Sequence, residues 1–92
     1  MIRTFKDKDA EMLYNSGHSK KYRAYERIAL RNLDMIAAAA VLDDLKIPPG
    51  NHLEALHGNR EGQYSIRIND QFRICFEWNS GGAYDLEIVD YH

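Results

Sequence analysis

Three stretches of this chain hold side chains able to work on a phosphate. HLEALHGNREGQYSI carries His52, Glu54, His57 and Arg60; Arg67 and Arg73 flank Asn69-Asp70; and EIVDYH closes with Asp90, Tyr91 and His92. Cutting RNA without a metal asks for a base to take the 2′-hydroxyl proton, cations to hold the phosphate as negative charge builds, and an acid to protonate the leaving oxygen. Glu54, His57, Asp90, Tyr91 and His92 are candidate proton carriers. Arg67 and Arg73 are candidate phosphate clamps, because a guanidinium fork matches two phosphate oxygens. Gly58 and Gly62 allow a sharp loop that folds the 52–60 side chains toward a sheet.

Each of these residues also has a plainer reading. His57 fits a surface loop, Glu54 a solvated carboxylate or a partner for Arg60, Tyr91 a cover for the sheet edge, and His92 an end residue. Tyr64 and Tyr84 read as core or cross-strand packing, and Trp78 as a core anchor. Cys75 shares the arginine face without an activator and reads as inert. His52 and His57 lack the spacing and company of a zinc site, so neither a metal nor another cofactor is expected.

The elements that must position these groups follow from hydrophobic period. IRTF at 2–5 reads as a short strand. Asp7 or Asp9 caps a short helix carrying Met12 and Leu13 and ending near Asn15-Ser16-Gly17. A longer helix starts at Ser19 and runs from Tyr22 to about Leu45, with a possible break at Ala37–Ala40 and an end at Pro48-Pro49-Gly50. Ile28, Leu33, Ile36 and Val41 mark its apolar face. Arg23, Arg27 and Arg31, four apart, form one exposed stripe that Lys20 and Lys21 extend. Beyond Pro48 the period becomes 2. Tyr64/Ile66/Ile68, Phe72/Ile74/Phe76/Trp78 and Tyr84/Leu86/Ile88 define three half-buried strands, and Asn51–Leu56 a further short extended segment. The expectation is an α+β domain over 1–92, an antiparallel meander with helices on one face.

Register follows from matching faces. A two-residue turn at Asn69-Asp70 would set Ile66 against Arg73, whereas a three-residue loop pairs Ile68 with Phe72 and Ile66 with Ile74. That choice opposes Arg67 to Arg73, a like-charge pair that needs a carboxylate, solvation or an anion to offset it. An odd-length loop at Asn79-Ser80-Gly81-Gly82 then keeps Phe76 near Leu86, Ile74 near Ile88 and Arg73 near Val89. Val89 and Tyr91 fall on the arginine face. Strict alternation puts Asp90 on the helix side unless the strand ends there.

Composition narrows the class. The 92 residues are 45% hydrophobic, enough for one core and little more. The longest apolar run, IAAAAVL, is too short for a membrane span, and the Lys6-Asp7-Lys8-Asp9 start is unlike a signal peptide. One cysteine excludes an internal disulfide. A cytoplasmic protein without a membrane partner is the expectation. The net charge of −2 argues mildly against a nucleic-acid binder, but charge is unevenly spread. Lys20–Arg31 is basic, whereas Glu77–Asp90 holds four carboxylates and no basic residue.

LEALHGNREGQYSIRINDQFRICFEW and AYDLEIVDYH, with MIRTF and YRAYERIALRNLDMIAAAAVLDDL before them, resemble the HigB-type toxins of the RelE superfamily over nearly the whole chain. The resemblance implies a RelE-like, microbial-RNase-type fold, with about four or five strands and two or three N-terminal helices. It implies a ribosome-dependent endoribonuclease, an mRNA interferase that cuts translated message by 2′-hydroxyl attack and so stops translation. Arg73 matches the family's phosphate clamp, and Asp90, Tyr91 and His92 its terminal catalytic cluster. Arg60 and Arg67 fit beside them as phosphate contacts, and Lys20, Lys21, Arg23, Arg27 and Arg31 as ribosome contacts. The implied partner is a helix-turn-helix antitoxin of the same operon, in a complex of two toxins and two antitoxins that meets operator DNA through the antitoxin. The chain departs at LEALHG: some family members have histidine at the place of Glu54 and lysine at that of His57. That leaves open a weakly catalytic or non-catalytic antitoxin-binding co-repressor. A free-standing ribonuclease is a third reading.

Overall fold

The structure, a computed structural model, describes residues 1–90. Helix α1 spans Lys8–Ser16. Asp7 caps it by accepting the Asp9 and Ala10 N–H groups at 2.9 and 3.1 Å. Gly17, at φ 83°, closes it with its N–H on the Leu13 carbonyl. These are the signals the sequence offered.

Helix α2 spans Glu26–Ala38, shorter at both ends than the sequence predicts. Ser19 does not start it. Residues 23–25 form a separate 3-10 turn, and the Ser19 N–H is taken by the Glu26 carboxylate at 3.0 Å. At the far end Ala39 turns extended. Asp44 then accepts the Ala40 and Val41 N–H groups at 2.9 and 3.2 Å, starting a 3-10 turn over Leu42–Lys46. A side chain that caps the following turn competes with continuation of the helix. The buried face of α2 is Ala29, Asn32, Leu33 and Ile36, whereas Ile28 and Val41 are exposed.

Strands β1 (Glu54–Ala55), β2 (Gln63–Arg67), β3 (Phe72–Asn79) and β4 (Gly82–Asp90) form one antiparallel sheet in sequence order. The β2–β3 register is the one that face-matching requires: Ile66 opposes Ile74 and Arg67 opposes Arg73. Phe72 and Ile68 close the hairpin over Asn69, Asp70 and Gln71.

The next hairpin reaches the expected partners by another route. Asn79 pairs with Gly82, so the turn holds two residues, Ser80 and Gly81, both at positive φ. That handedness suits the strand twist. A bulge restores the register: Glu77 opposes Tyr84 and Cys75 opposes Glu87, so Asp85 and Leu86 together face Phe76. Asp85 takes the left-handed conformation at φ 52°. Ile74 thereby meets Ile88 and Arg73 meets Val89. The bulge also moves Tyr84 to the Glu77 side and seats Ala83 in the core at 0% exposure, so Tyr84 does not share the face of Leu86.

IRTF is not a fifth strand of full standing. Ile2 and Phe5 make isolated parallel bridges to Ala83 and Leu86 along the outer edge of β4. Gly82 lies so close under Arg3 that an added Cβ would sit 2.9 Å from the Arg3 Cγ. Both helices pack on one face of the sheet, where Ala10, Leu13, Leu33 and Ile36 meet Ile66, Ile74, Phe76 and Leu86. Among the described residues no helix is long and apolar enough to cross a membrane.

Candidate active site

The face of the sheet turned away from the helices is polar, and Arg73 lies near its middle. Its side chain crosses diagonally from β3 to β2, where Nε donates to the Ser65 hydroxyl at 2.8 Å. Nη2 donates to the His52 carbonyl at 2.5 Å and lies 3.5 Å from a Glu54 carboxylate oxygen. Arg73 is 9% exposed and Ser65 fully buried. A charge so buried requires acceptors of this kind. Glu54, just over half exposed, leaves its carboxylate at the solvent boundary.

The His52 carbonyl is aimed by local geometry. A 3-10 turn over Pro49–Asn51 ends at His52, which adopts φ 47° and ψ 56° with its N–H on the Pro49 carbonyl. Asn51, buried, donates its side-chain amide to the Leu45 carbonyl at 3.2 Å and anchors that turn. β1 follows at once and sets Glu54 beside Ser65.

Arg60 closes a 3-10 turn over Gly58–Arg60 and reaches the same sheet face. Its Nη1 contacts Gln63 at 3.0 Å and Glu87 at 3.2 Å, and Lys6 approaches Glu87 at 3.6 Å. The partner of Arg60 is therefore Glu87, and that of Glu54 is Arg73. Cys75, the cross-strand neighbour of Glu87, is fully buried; burial pushes its thiol up, with the Glu87 charge adding to that and Arg60 and Arg73 opposing it.

Arg67 pairs with Asp70 at the hairpin tip, whose carboxylate is almost fully exposed. Each arginine of the opposed pair thus has its own oxygen partners within the chain. Arg67 also meets the basic helix: with Arg31, Ile28, Met35, Pro48 and Asn51 it lines a groove of about 540 Å³.

The remaining candidates are less concentrated. His57 is exposed, and its carbonyl accepts the Arg60 N–H at 3.3 Å; among the described residues no hydrogen bond or ion pair joins its ring to Arg73. Asp90 pairs across the sheet with Phe72, on the face opposite Arg73, and accepts from the Gln71 amide at 3.0 Å. Its charge helps to raise the Tyr25 phenol, after burial and Asp7. Tyr91 and His92 lie outside the described residues. Lys20, Lys21, Arg23, Arg27 and Arg31 are all exposed, but only Arg27 and Arg31 stand on α2. Lys21 lies 3.8 Å from Asp9, and Arg23 belongs to the preceding 3-10 turn.

Sequence reading missed Ser65, the His52 carbonyl and Glu87 as members of this face. The first and last had a signal, since the register that opposes Arg67 to Arg73 also puts Ser65 and Glu87 there. The His52 carbonyl had none, because its direction comes from a left-handed backbone.

Helices on one face of a four-stranded antiparallel sheet match a solved fold: a chain of the YoeB–YefM complex from Staphylococcus aureus superposes with a TM-score of 0.57 at 16% identity, covering 100% of this chain and 98% of that one. Sequence takes the assignment further. Residues 3–92 match the family model described as RelE-like toxin of type II toxin-antitoxin system HigB. The Toxin HigB-1 of Vibrio cholerae serotype O1 is 41% identical over 87 residues, 90% of each chain. The Endoribonuclease HigB of Proteus vulgaris is 32% identical over 93 residues, the whole of both. This chain belongs to the HigB family of RelE-like toxins.

Proposed function

We propose that this toxin is a ribosome-dependent endoribonuclease that cuts translated mRNA without a metal. The 2′-oxygen attacks the adjacent phosphorus and the bond to the 5′-oxygen breaks. A base removes the 2′ proton and an acid returns one to the leaving oxygen. Arg73 holds the phosphate, with Arg67 and Arg60 as flanking cations. Glu54, His57, Asp90, Tyr91 and His92 are the group from which base and acid are drawn. Lys20, Lys21, Arg23, Arg27 and Arg31 face ribosomal RNA. A helix-turn-helix antitoxin of the same operon, two copies to two toxins, holds the toxin inactive and carries it to operator DNA.

The observation that carries this reading is the buried Arg73 guanidinium 3.5 Å from Glu54 on the open sheet face. A desolvated cation stabilises developing charge far better than one in water. The second reading, a weakly catalytic or non-catalytic co-repressor, draws on the same residue, since bonds to Ser65 and His52 would also suit a purely structural arginine.

Cleavage of a message by the purified chain, with and without ribosomes programmed with it, separates the readings. Cuts on ribosomes alone, reduced about 10²–10³-fold by Arg73→Ala, are the expected result. Cuts on naked RNA would make it a free-standing ribonuclease. A folded sample that cuts neither would be a co-repressor.

A further inference from the structure

We infer that Ser65 is a positioning residue for Arg73, acting with the carbonyl of His52; this rests on the catalytic reading above. A serine at 0% exposure in the middle of a sheet is an expensive choice unless its hydroxyl is bonded. Its bond is the one accepted from Arg73 Nε at 2.8 Å. The His52 carbonyl takes Nη2 at 2.5 Å. The two acceptors therefore engage one edge of the guanidinium, the edge bearing Nε and Nη2. That sets the plane of the fork and the direction in which its Nη1 side points. The Ser65 carbonyl, 3.5 Å from Nη2, adds a longer contact on the same edge. A carboxylate could not do this work as well: Glu54 is exposed, on a two-residue strand, and 3.5 Å away.

The His52 backbone shows the same purpose. A residue with a Cβ held at φ 47° is in a sparsely populated region, and such conformations persist where the surroundings over-determine them. Here the Pro49–Asn51 turn and the buried Asn51 amide do so. The product of that conformation is a carbonyl directed at Arg73.

The test is a double-mutant cycle on single-turnover cleavage of ribosome-bound message, with thermal unfolding as a check on folding. Ser65→Ala should lower the rate about tenfold to a hundredfold, and Ser65→Thr, which keeps the hydroxyl, should recover most of it. If Ser65 acts through Arg73, adding Ser65→Ala to Arg73→Ala should cost little more. Equal losses in both backgrounds, or a Ser65→Ala protein that cuts like wild type, would overturn the inference. A separate readout follows the Arg73 Nε proton by NMR in the free toxin. Its exchange with water should be slow in wild type and faster in Ser65→Ala; unchanged exchange would also overturn the inference. This measurement decides the matter if Arg73→Ala falls below detection. Full activity in Arg73→Ala would instead remove the clamp role, while the proton exchange still reported on the Ser65 bond.

Discussion

Two arginines opposed across a hairpin should repel, yet Arg67 and Arg73 end in different surroundings. Arg67 faces an exposed carboxylate one loop away, an arrangement worth about 0–1 kcal/mol. Arg73 is nearly buried and tied to neutral oxygens of Ser65 and His52, with Glu54 at the margin. Register alone revealed the clash; burial decides which arginine is the preorganised one. The same burial governs Cys75. It lies beneath Arg60, Arg73 and Glu87, and desolvation outweighs the pull of both guanidiniums, so the thiol sits above its usual range. A protonated, occluded thiol is a poor nucleophile. Iodoacetamide at neutral pH should therefore leave the native protein unmodified and label Cys75 once guanidinium unfolds it. Native labelling at the rate of a free thiol, followed by mass spectrometry, would refute this. The arginines of the polar face were legible because β2 and β3 alternate without interruption, whereas the bulge in β4 moved Tyr84 against its expected phase. The pairing of Glu54 with Arg73 was not, because it depends on how a two-residue strand docks after an irregular turn. Asp90 was legible in phase, and its place beside Gln71 follows the alternation that put it opposite the arginines.

At the scale of elements, one carboxylate joins α1, β4 and the segment that leads into α2. Asp7 caps α1 through Oδ1, while its Oδ2 accepts the Tyr22 hydroxyl at 2.5 Å and the Ile88 N–H of β4 at 3.2 Å. The start of the chain runs along β4 only as far as Lys6 and Asp7, whose N–H groups reach Leu86. Asp7 then continues the edge with a side chain in place of backbone. Losing the cap costs about 0.5–2 kcal/mol, and stranding the two other donors adds about 1–3 kcal/mol for a well-buried one. Asp7→Ala should thus lower stability by roughly 1.5–5 kcal/mol. Asp7→Asn, which still caps α1 but presents an N–H to Ile88, should fall between it and wild type. Denaturant titration would show this, and equal stability of all three proteins would remove Asp7 from the role. Burial and Asp7 also hold the Tyr22 phenol far above its ordinary value of 10.0. The folded pKa is raised, so this contribution is complete below about pH 10 and lost as pH climbs above it. Tyr22→Phe should flatten that alkaline loss. The sequence offered Asp7 or Asp9 as the cap, and it left the other two bonds of Asp7 hidden, since both partners are distant in the chain. It likewise signalled a turn at Asn79–Gly82 but not the bulge at Asp85, which corrects the register locally and leaves little mark on hydrophobic period.

For the whole molecule, the proposed ribosome-dependent activity raises the question of how a chain of net charge −2 would approach a ribosome. Its charge is segregated by position and by pairing. Glu87 is held by Arg60 and Lys6, and Glu26 is kept below the usual carboxylate range chiefly by the Ser19 N–H. Lys20, Arg23, Arg27 and Arg31 are exposed and make no ion pair among the described residues. A basic surface of this kind can meet phosphates despite the net negative charge of the chain. If these four side chains, with or without Lys21, each neutralise one phosphate, the affinity for ribosomes should fall about 50- to 500-fold between roughly 50 and 200 mM salt. Arg23→Ala, Arg27→Ala and Arg31→Ala together should flatten the slope of log affinity against log salt by about one for each phosphate no longer neutralised. Stability should change little, because exposed charges contribute little to folding. Sedimentation of the toxin with ribosomes across a salt series measures both slopes. A wild-type affinity indifferent to salt would mean that these basic residues are only a solvated surface and do not neutralise phosphates.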